Sequence, residues 1–224
     1  MYEKILDAKR LELLRDLTLQ DALESFYLAG GTALSLQLGL RMSVDFDFFT
    51  PRPFNADTLC AALSRRFSDI RALVVERDTC DLLIEGVRVS FFGYPYPLVR
   101  ALVPGGASLP RLRMADPVDI AVMKLSAIGG RGSRKDFYDL YQIYRRVPGF
   151  DGEQLLSATR AKFGQDFDVT YMLMGLGYFD DAEDEVLPKT FVPAEWTELK
   201  RFFMAEQQSL FEREETRERD ADQA

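Results

Sequence analysis

The 224-residue chain contains no histidine. That absence removes Ser–His–Asp and Cys–His catalysis and zinc sites of the usual Cys/His kind. Any chemistry must rest on carboxylates, lysine, arginine, hydroxyls or a hard cation, and oxygen ligands suit magnesium, with manganese as the alternative. Cysteine is scarce: Cys60 and Cys80 are the two copies, without Cys-x-x-Cys spacing, and they read as buried or free thiols rather than a disulfide or a zinc site. No apolar run is long enough to span a bilayer. The opening residues, Met1 to Asp7, carry acids where a signal peptide needs a basic and then an apolar region. The expectation is a cytoplasmic protein with no membrane partner.

What is present is a chain with 47% hydrophobic residues, enough for a sizeable core. Its length suits one large domain, or one domain with a helical extension. The net charge of −8 is not spread evenly. Residues 180–224 hold 14 acids and 6 bases, and the other 179 residues hold 22 of each. Between Arg111 and Arg146 lie 8 bases and 4 acids. An acidic protein with such a local basic patch can take a nucleotide or an RNA end, but not coat long nucleic acid.

Apolar spacing predicts helices over 3–17 and 19–25, then a short apolar run from Phe26 to Ala29 that ends at Gly30-Gly31. Thr32 to Leu40 reads as a helix capped by Thr32. Ser43 to Phe49 reads as a strand ended by Pro51 and Pro53, and Asp57 to Phe67 as a helix capped near Asn55. Strands follow between Ile70 and Tyr94, with a hairpin at Glu85-Gly86. Asp116-Pro117 starts a helix to about Ile128, interrupted by Gly129–Gly132, and Ser133 caps the next helix to about Arg146. Further helices are expected near 152–163, 166–175 and 194–218. The order predicts an α+β fold: a small mixed sheet with flanking helices, then a helical C-terminal half. The expected division is a core over 1–113, a helical region over 114–218 and a disordered tail over 219–224.

Two short elements carry the chemistry. Asp45 and Asp47 stand two apart in a predicted strand, so their carboxylates share a face while Val44, Phe46 and Phe48 turn to the core. Two such carboxylates repel, and a divalent cation between them removes the penalty. An ordinary strand with a polar outer face is the plainer reading, although aspartate is a poor strand former. Gly30 and Gly31 lack Cβ, so a phosphate can approach the backbone where the next helix points its free N–H groups. A tight turn explains two glycines equally well. Together, however, the two elements could set a phosphate cradle beside a metal site, which suits phosphoryl or nucleotidyl transfer.

The segments Gly30-Gly31-Thr32-Ala33-Leu34 and Arg41-x-Ser43-x-Asp45-x-Asp47-Phe48-Phe49 resemble the AbiEii/AbiGii-toxin-like nucleotidyltransferases, part of the polymerase-β-type superfamily. Asp119 to Leu125 and Arg134 to Tyr141 resemble that family's lysine motif and later aspartate motif. The resemblance runs from about Phe26 to Tyr144. It implies a nucleotidyltransferase-type fold in which Asp45 and Asp47 bind magnesium. Gly30, Gly31 and Thr32 would hold the triphosphate with Arg41 and Ser43, and Lys124 would contact nucleotide phosphates. Asp136 would act as catalytic support or position the lysine. Arg131, Arg134 and Lys135 could guide the triphosphate or an RNA acceptor on charge alone.

Bland readings stand beside these. Lys124 could be a snorkelling surface lysine. Asp136, Asp139 and Lys135 could form helix-surface ion pairs, the favoured reading for Asp139. The Tyr138, Tyr141 and Tyr144 stripe reads as packing, and the acidic run from Asp180 to Glu185 as a solvated loop.

One departure matters. The superfamily commonly carries a third carboxylate on a neighbouring strand, and here that strand offers Ser90, which cannot match a carboxylate as ligand and base. Asp81, Glu85 or no residue fills the role. The implied activity moves a nucleoside monophosphate from a nucleoside triphosphate to a hydroxyl of RNA (tRNA-like) or protein, as the toxin-like component of a bacterial toxin–antitoxin or phage-defence system with a cognate antitoxin. The alternative is a catalytically silent nucleotide- or partner-binding module.

Overall fold

The computed structural model describes residues 1–164 and 168–222, and they form an α+β protein. The chain divides into two compact units. One comprises Met1–Asp116 with Pro188–Phe191, and the other comprises Pro117–Leu187 and the chain from Val192 onward.

The first unit holds a mixed sheet. Its strands are β1 (Tyr27–Ala29), β2 (Phe46–Thr50), β3 (Ile70–Glu76), β4 (Thr79–Ile84), β5 (Val87–Gly93), β6 (Val103–Pro104) and β7 (Arg113–Met114), in the order β3-β4-β5-β2-β1-β7-β6. β2 is central, antiparallel to β1 and parallel to β5. Alternation decides the faces. Phe46 and Phe48 of β2 and Val89 and Phe91 of β5 are buried, with Phe48 stacked on Phe91 at 5.4 Å. Each such aromatic contributes on the order of 2–3 kcal/mol of burial. Asp47, Ser90 and Asp81 point to the other face. The β4–β5 hairpin turns at Glu85 and Gly86, both with positive φ (50° and 77°), which matches the right-handed twist of the paired strands.

Three helices belong to this unit: α1 (Ala8–Thr18), α2 (Gly30–Leu38) and α3 (Ala56–Ser64). Asn55 caps α3 through Thr58 N–H at 2.8 Å. The expected helix over 3–17 is split, because the Asp7 side chain accepts from Arg10 N–H at 2.8 Å and starts α1 anew after a 3-10 turn at Glu3–Ile5. The helix expected over 19–25 is only a 3-10 turn, Asp21–Leu23. Residues 188–191 return to the first unit, where Met42 N–H donates to Lys189 O (2.8 Å) and Phe191 N–H to Leu40 O (2.7 Å).

The second unit is helical: α4 (Pro117–Arg131), α5 (Arg134–Arg146), α6 (Gly152–Phe163), α7 (Val169–Gly175) and α8 (Trp196–Asp222). α4 does not stop at Ile128. Gly129 and Gly130 stay helical because α7 crosses there: a Cβ on Gly129 would stand 2.9 Å from Met172 Cα, and one on Gly175 would stand 2.7 Å from Gly129 Cα. The glycines therefore serve close packing rather than a break. The expected start of α7 at Asp166 lies outside the described residues, and Asp168 caps the helix through Tyr171 N–H at 3.1 Å. α8 continues to Asp222, beyond the expected end of order at residue 218.

Asp180, Asp181, Glu183 and Asp184 of the acidic run are exposed, as expected of a solvated segment, but two acids of the run are also paired. Glu185 accepts from Arg134 N–H at 2.8 Å at the start of α5, where a helix dipole favours an anion, and Glu183 pairs with Lys200 at 3.0 Å. Tyr138 and Tyr141 are buried, and Tyr144 packs edge-on against Phe150 and Phe202.

Candidate functional site

In the first unit the candidate residues gather on one face of the sheet around β2. Asp47 lies in β2, opposite Ala29 of β1 and Ser90 of β5. Asp45 lies one residue before the strand begins, since β2 starts at Phe46 rather than Ser43. Asp45 and Asp47 are half-buried while Phe46 and Phe48 are buried, so the alternation continues through Asp45. Val44, expected in the core, is 47% exposed, because the chain there has already left the sheet.

Thr32 explains how Asp45 is held without ladder hydrogen bonds. It is not the cap of α2: the helix begins at Gly30 and Ala29 occupies the cap position, with no side chain closing the helix start. Thr32 is instead buried. Its hydroxyl donates to Asp45 C=O at 2.5 Å and lies 2.5 Å from Ser43 Oγ. Since its proton goes to the carbonyl, Ser43 donates to Thr32. Both hydroxyls are committed to positioning the 43–45 segment.

The two glycines are required separately. Gly30 has φ +65°, and a Cβ there would stand 2.9 Å from Asp47 Oδ2. Gly31 lies against the guanidinium of buried Arg41, and a Cβ would overlap it. The uncapped N–H groups of α2 therefore open beside Asp47, with the Arg41 guanidinium under the first turn. A helix start with free N–H groups and an adjacent cation suits an anion.

The next strands settle the third carboxylate in part. Asp81 of β4 faces Ser90 of β5, which faces Asp47 of β2, so the three form one row across the sheet. Asp81 is buried and already engaged. Ser90 Oγ donates to it at 3.1 Å, and Arg88 grips it through Nε (3.1 and 2.9 Å) and Nη2 (2.5 Å). The hydrogen bond to Asp81 first, then the charges of Asp81, Asp45 and Asp47, raises the Arg88 pKa further above its ordinary value. Both Asp45 and Asp47 thus lie within the electrostatic reach of Arg88. Glu85 sits in the hairpin turn instead. Among the described residues no group of three or more acids, histidines or cysteines is arranged to hold a metal ion. Arg88 escaped the sequence reading. The signal was a cation two residues before Ser90 on the strand that pairs with the aspartates.

The second unit contains Lys124 of α4 and Asp136 of α5. Lys124 is not a surface lysine: its Nζ contacts Asp136 at 2.7 Å and Asp139 at 3.0 Å, with side-chain exposures of 11%, 15% and 0%. Asp139, expected on the helix surface, is therefore a second partner of the lysine. Ser133 and Asp136 form a capping box at the start of α5. Burial alone would raise the Asp136 pKa, but the charge and hydrogen bond of Lys124 and the hydrogen bonds from Ser133 outweigh it and hold the carboxyl below its ordinary value of 3.8. Arg134 does not project freely: its Nε donates to Ala182 C=O at 3.0 Å and its guanidinium lies 4.7 Å over the Trp196 ring. A second buried pair, Lys162–Asp119 at 2.7 Å, joins α6 to α4 and was not visible in the sequence.

The family model described as "Nucleotidyl transferase AbiEii toxin, Type IV TA system" matches residues 12–223. An uncharacterized protein of Aquifex aeolicus (strain VF5) is 38% identical over 180 residues, covering 80% of this chain and 84% of that protein. A solved structure from H. pylori, assigned to the nucleotidyltransferases, shares the fold with TM-score 0.56 and 18% identity over 95% of this chain and 98% of that one. MenT4, a nucleotidyltransferase toxin from Mycobacterium tuberculosis H37Rv, aligns with TM-score 0.54 and 17% identity over 90% of this chain and 84% of its own.

Proposed function

We propose a reaction from one premise: this chain belongs to the AbiEii nucleotidyl transferase toxin family of type IV toxin–antitoxin systems. In the proposed reaction it transfers a nucleoside monophosphate from a nucleoside triphosphate to a hydroxyl of RNA or protein. The acceptor oxygen bonds to the α-phosphorus, the bond from that phosphorus to the bridging oxygen of the β-phosphate breaks, and pyrophosphate leaves. The hydroxyl proton passes to solvent water. Little covalent chemistry falls to the protein, so catalysis is positioning and charge stabilisation.

The observation that carries this reading is Asp45 and Asp47 beside the uncapped start of α2. Two half-buried carboxylates fit a magnesium ion, or manganese, because such ions commonly take one or two carboxylates and complete their shell with water and substrate phosphates. A cation there would neutralise phosphate charge. The chain's own part is to hold the triphosphate on the α2 N–H groups at Gly30 and Gly31, backed by Arg41. Thr32 and Ser43 fix the backbone that carries Asp45. In the second unit Asp136 positions the Lys124 ammonium at 2.7 Å. Family membership also favours a toxin role with a cognate antitoxin and a cytoplasmic setting. Among the described residues no helix is long and apolar enough to cross a membrane.

A silent nucleotide- or partner-binding module is the second reading, favoured by Ser90 in the third-carboxylate row and by the engagement of Asp81 with Arg88. Incubation with magnesium, each labelled nucleoside triphosphate, total RNA and a protein extract separates the two. Label transfer by the wild type supports the enzyme. Nucleotide binding without transfer under either metal supports the silent module.

A further inference from the structure

We propose that Cys60 and Cys80 form a redox-modification site: a hydroperoxide converts the two thiols to a disulfide that ties α3 to β4, and a dithiol reductant reopens it. The proposal stands on the first unit alone and does not depend on the nucleotidyl-transfer reading.

Proximity is the first argument. The chain has two cysteines, 20 residues apart, and the fold brings their sulfurs to 2.9 Å. Cys60 lies in α3 and Cys80 in β4, and these two elements pack against each other. Both are free thiols. A disulfide bond is roughly 2.05 Å long, so the sulfurs stand about 0.9 Å beyond bonding distance. Side-chain torsions close a gap of that size without parting the helix from the sheet. The held pair also gives each sulfur a high effective concentration of the other, ahead of any thiol from solution.

Unequal access is the second argument, and it assigns the roles. Cys80 is buried, opposite Phe91 of β5, while Cys60 is half-buried. Burial first, then the neighbouring Cys60, holds the Cys80 thiol above its ordinary pKa, so it stays protonated. The oxidant therefore meets Cys60. The Cys60 thiolate takes one oxygen of the hydroperoxide, the O–O bond breaks, and the other oxygen leaves as water or an alcohol carrying the Cys60 proton. Cys80 sulfur then bonds to the sulfur of the Cys60 sulfenic acid. The S–O bond breaks, and the Cys80 proton departs with that hydroxyl as water. The two thiols lose two electrons and the hydroperoxide accepts both.

Strand alternation decides what the bond touches. Cys80 turns towards α3, and the next residue, Asp81, turns to the face it shares with Ser90 and Asp47. The disulfide forms behind the aspartate row and leaves Asp81 with Arg88 and Ser90. The loop it closes contains β3, the edge strand of the sheet, whose Leu73, Val74 and Val75 are exposed. An edge strand is the part of a sheet most open to peeling or to pairing with another chain. Oxidation staples the segment that holds it, and a reversible pair of this kind suits a reducing compartment, where permanent disulfides do not persist.

The test treats the reduced, folded full chain with hydrogen peroxide, then alkylates it under denaturing conditions and reads its intact mass. The wild type should lose about 2 Da and resist alkylation at both cysteines. It should run as a monomer on a non-reducing gel and yield a linked pair of peptides, and dithiothreitol should restore both thiols. The oxidised form should melt about 5–10 °C higher, from closure of the loop between the cysteines. Cys80→Ser should stop at the sulfenic acid, a gain of about 16 Da that dimedone captures. Cys60→Ser should stay reduced while folded, because its remaining thiol is buried. The wild-type readings need no substitution, so they decide the matter even where a variant fails to fold. Oxygen added to the wild type without the loss of mass overturns the proposal. So do disulfide-linked dimers in place of the internal bond, or two cysteines that both remain open to alkylation.

Discussion

Replacing Lys124 by methionine should reverse the acid response of the second unit. Methionine keeps the length of the side chain and removes the charge, leaving Asp139 and Asp136 without the cation that each contacts at 3.0 and 2.7 Å. Breaking a buried pair by deleting one partner costs about 3–5 kcal/mol. Out of a total stability of roughly 5–15 kcal/mol, that is a large fraction. The pH dependence gives a sharper signature than the magnitude. In the wild type the folded-state pKa of Asp136 is depressed, so its stabilisation is present above the ordinary value of 3.8 and is lost as pH falls through the lower folded value. Without Lys124, burial becomes the dominant influence and raises that pKa. Stability is then greatest at low pH and is lost as pH rises through the folded value. Guanidinium unfolding at several pH values, followed through Trp196, the single tryptophan and a neighbour of Phe137 at 5.7 Å, reads this unit directly. Asp139→Asn added to Lys124→Met should restore part of the loss. A Lys124→Met variant within 1 kcal/mol of the wild type, or one with the wild-type acid slope, would refute the reasoning.

Thr32→Val should cost about 1–3 kcal/mol by leaving the Asp45 carbonyl and Ser43 without their buried partner, and it should lower transfer activity more than a surface substitution does; urea unfolding and initial rates check both. Gly30→Ala should impair nucleotide binding and destabilise the protein, since φ +65° and the approach of Asp47 both oppose a Cβ, and isothermal titration with a nucleoside triphosphate would read the loss. Burial, followed by the neighbouring Cys60, raises the pKa of the Cys80 thiol, so Cys80 should resist thiolate-specific reagents at pH 8 in the native protein and react once the protein is unfolded.

The residue pattern made the α+β order legible because period and punctuation are local. Asn55, Ser133 and the Glu85-Gly86 turn announce themselves by chemistry that acts within four residues. Other features depended on distant chain. Gly129 looked like a break because the crossing of α7, some forty residues on, was invisible. Thr32 looked like a cap because its partners, Ser43 and Asp45, lie across a loop. Asp139 looked superficial because only the α4–α5 packing shows that Lys124 reaches it. Arg88 was missed for the same reason: its meaning comes from the parallel pairing of β5 with β2, and a single strand does not reveal its neighbours. The paired aspartates, by contrast, needed only the alternation of one strand.

The most direct measurement compares the wild type with Asp45→Ala and Asp47→Ala in a magnesium-dependent label-transfer assay with each nucleoside triphosphate and total RNA, each variant first shown to melt cooperatively near the wild-type temperature. The expected result is transfer by the wild type that chelation abolishes and that both variants lose by at least about 100-fold, the scale of removing one preorganised charge-stabilising group. Transfer that survives either substitution, or that chelation leaves unchanged, would contradict the assignment of these two carboxylates as the centre of the reaction.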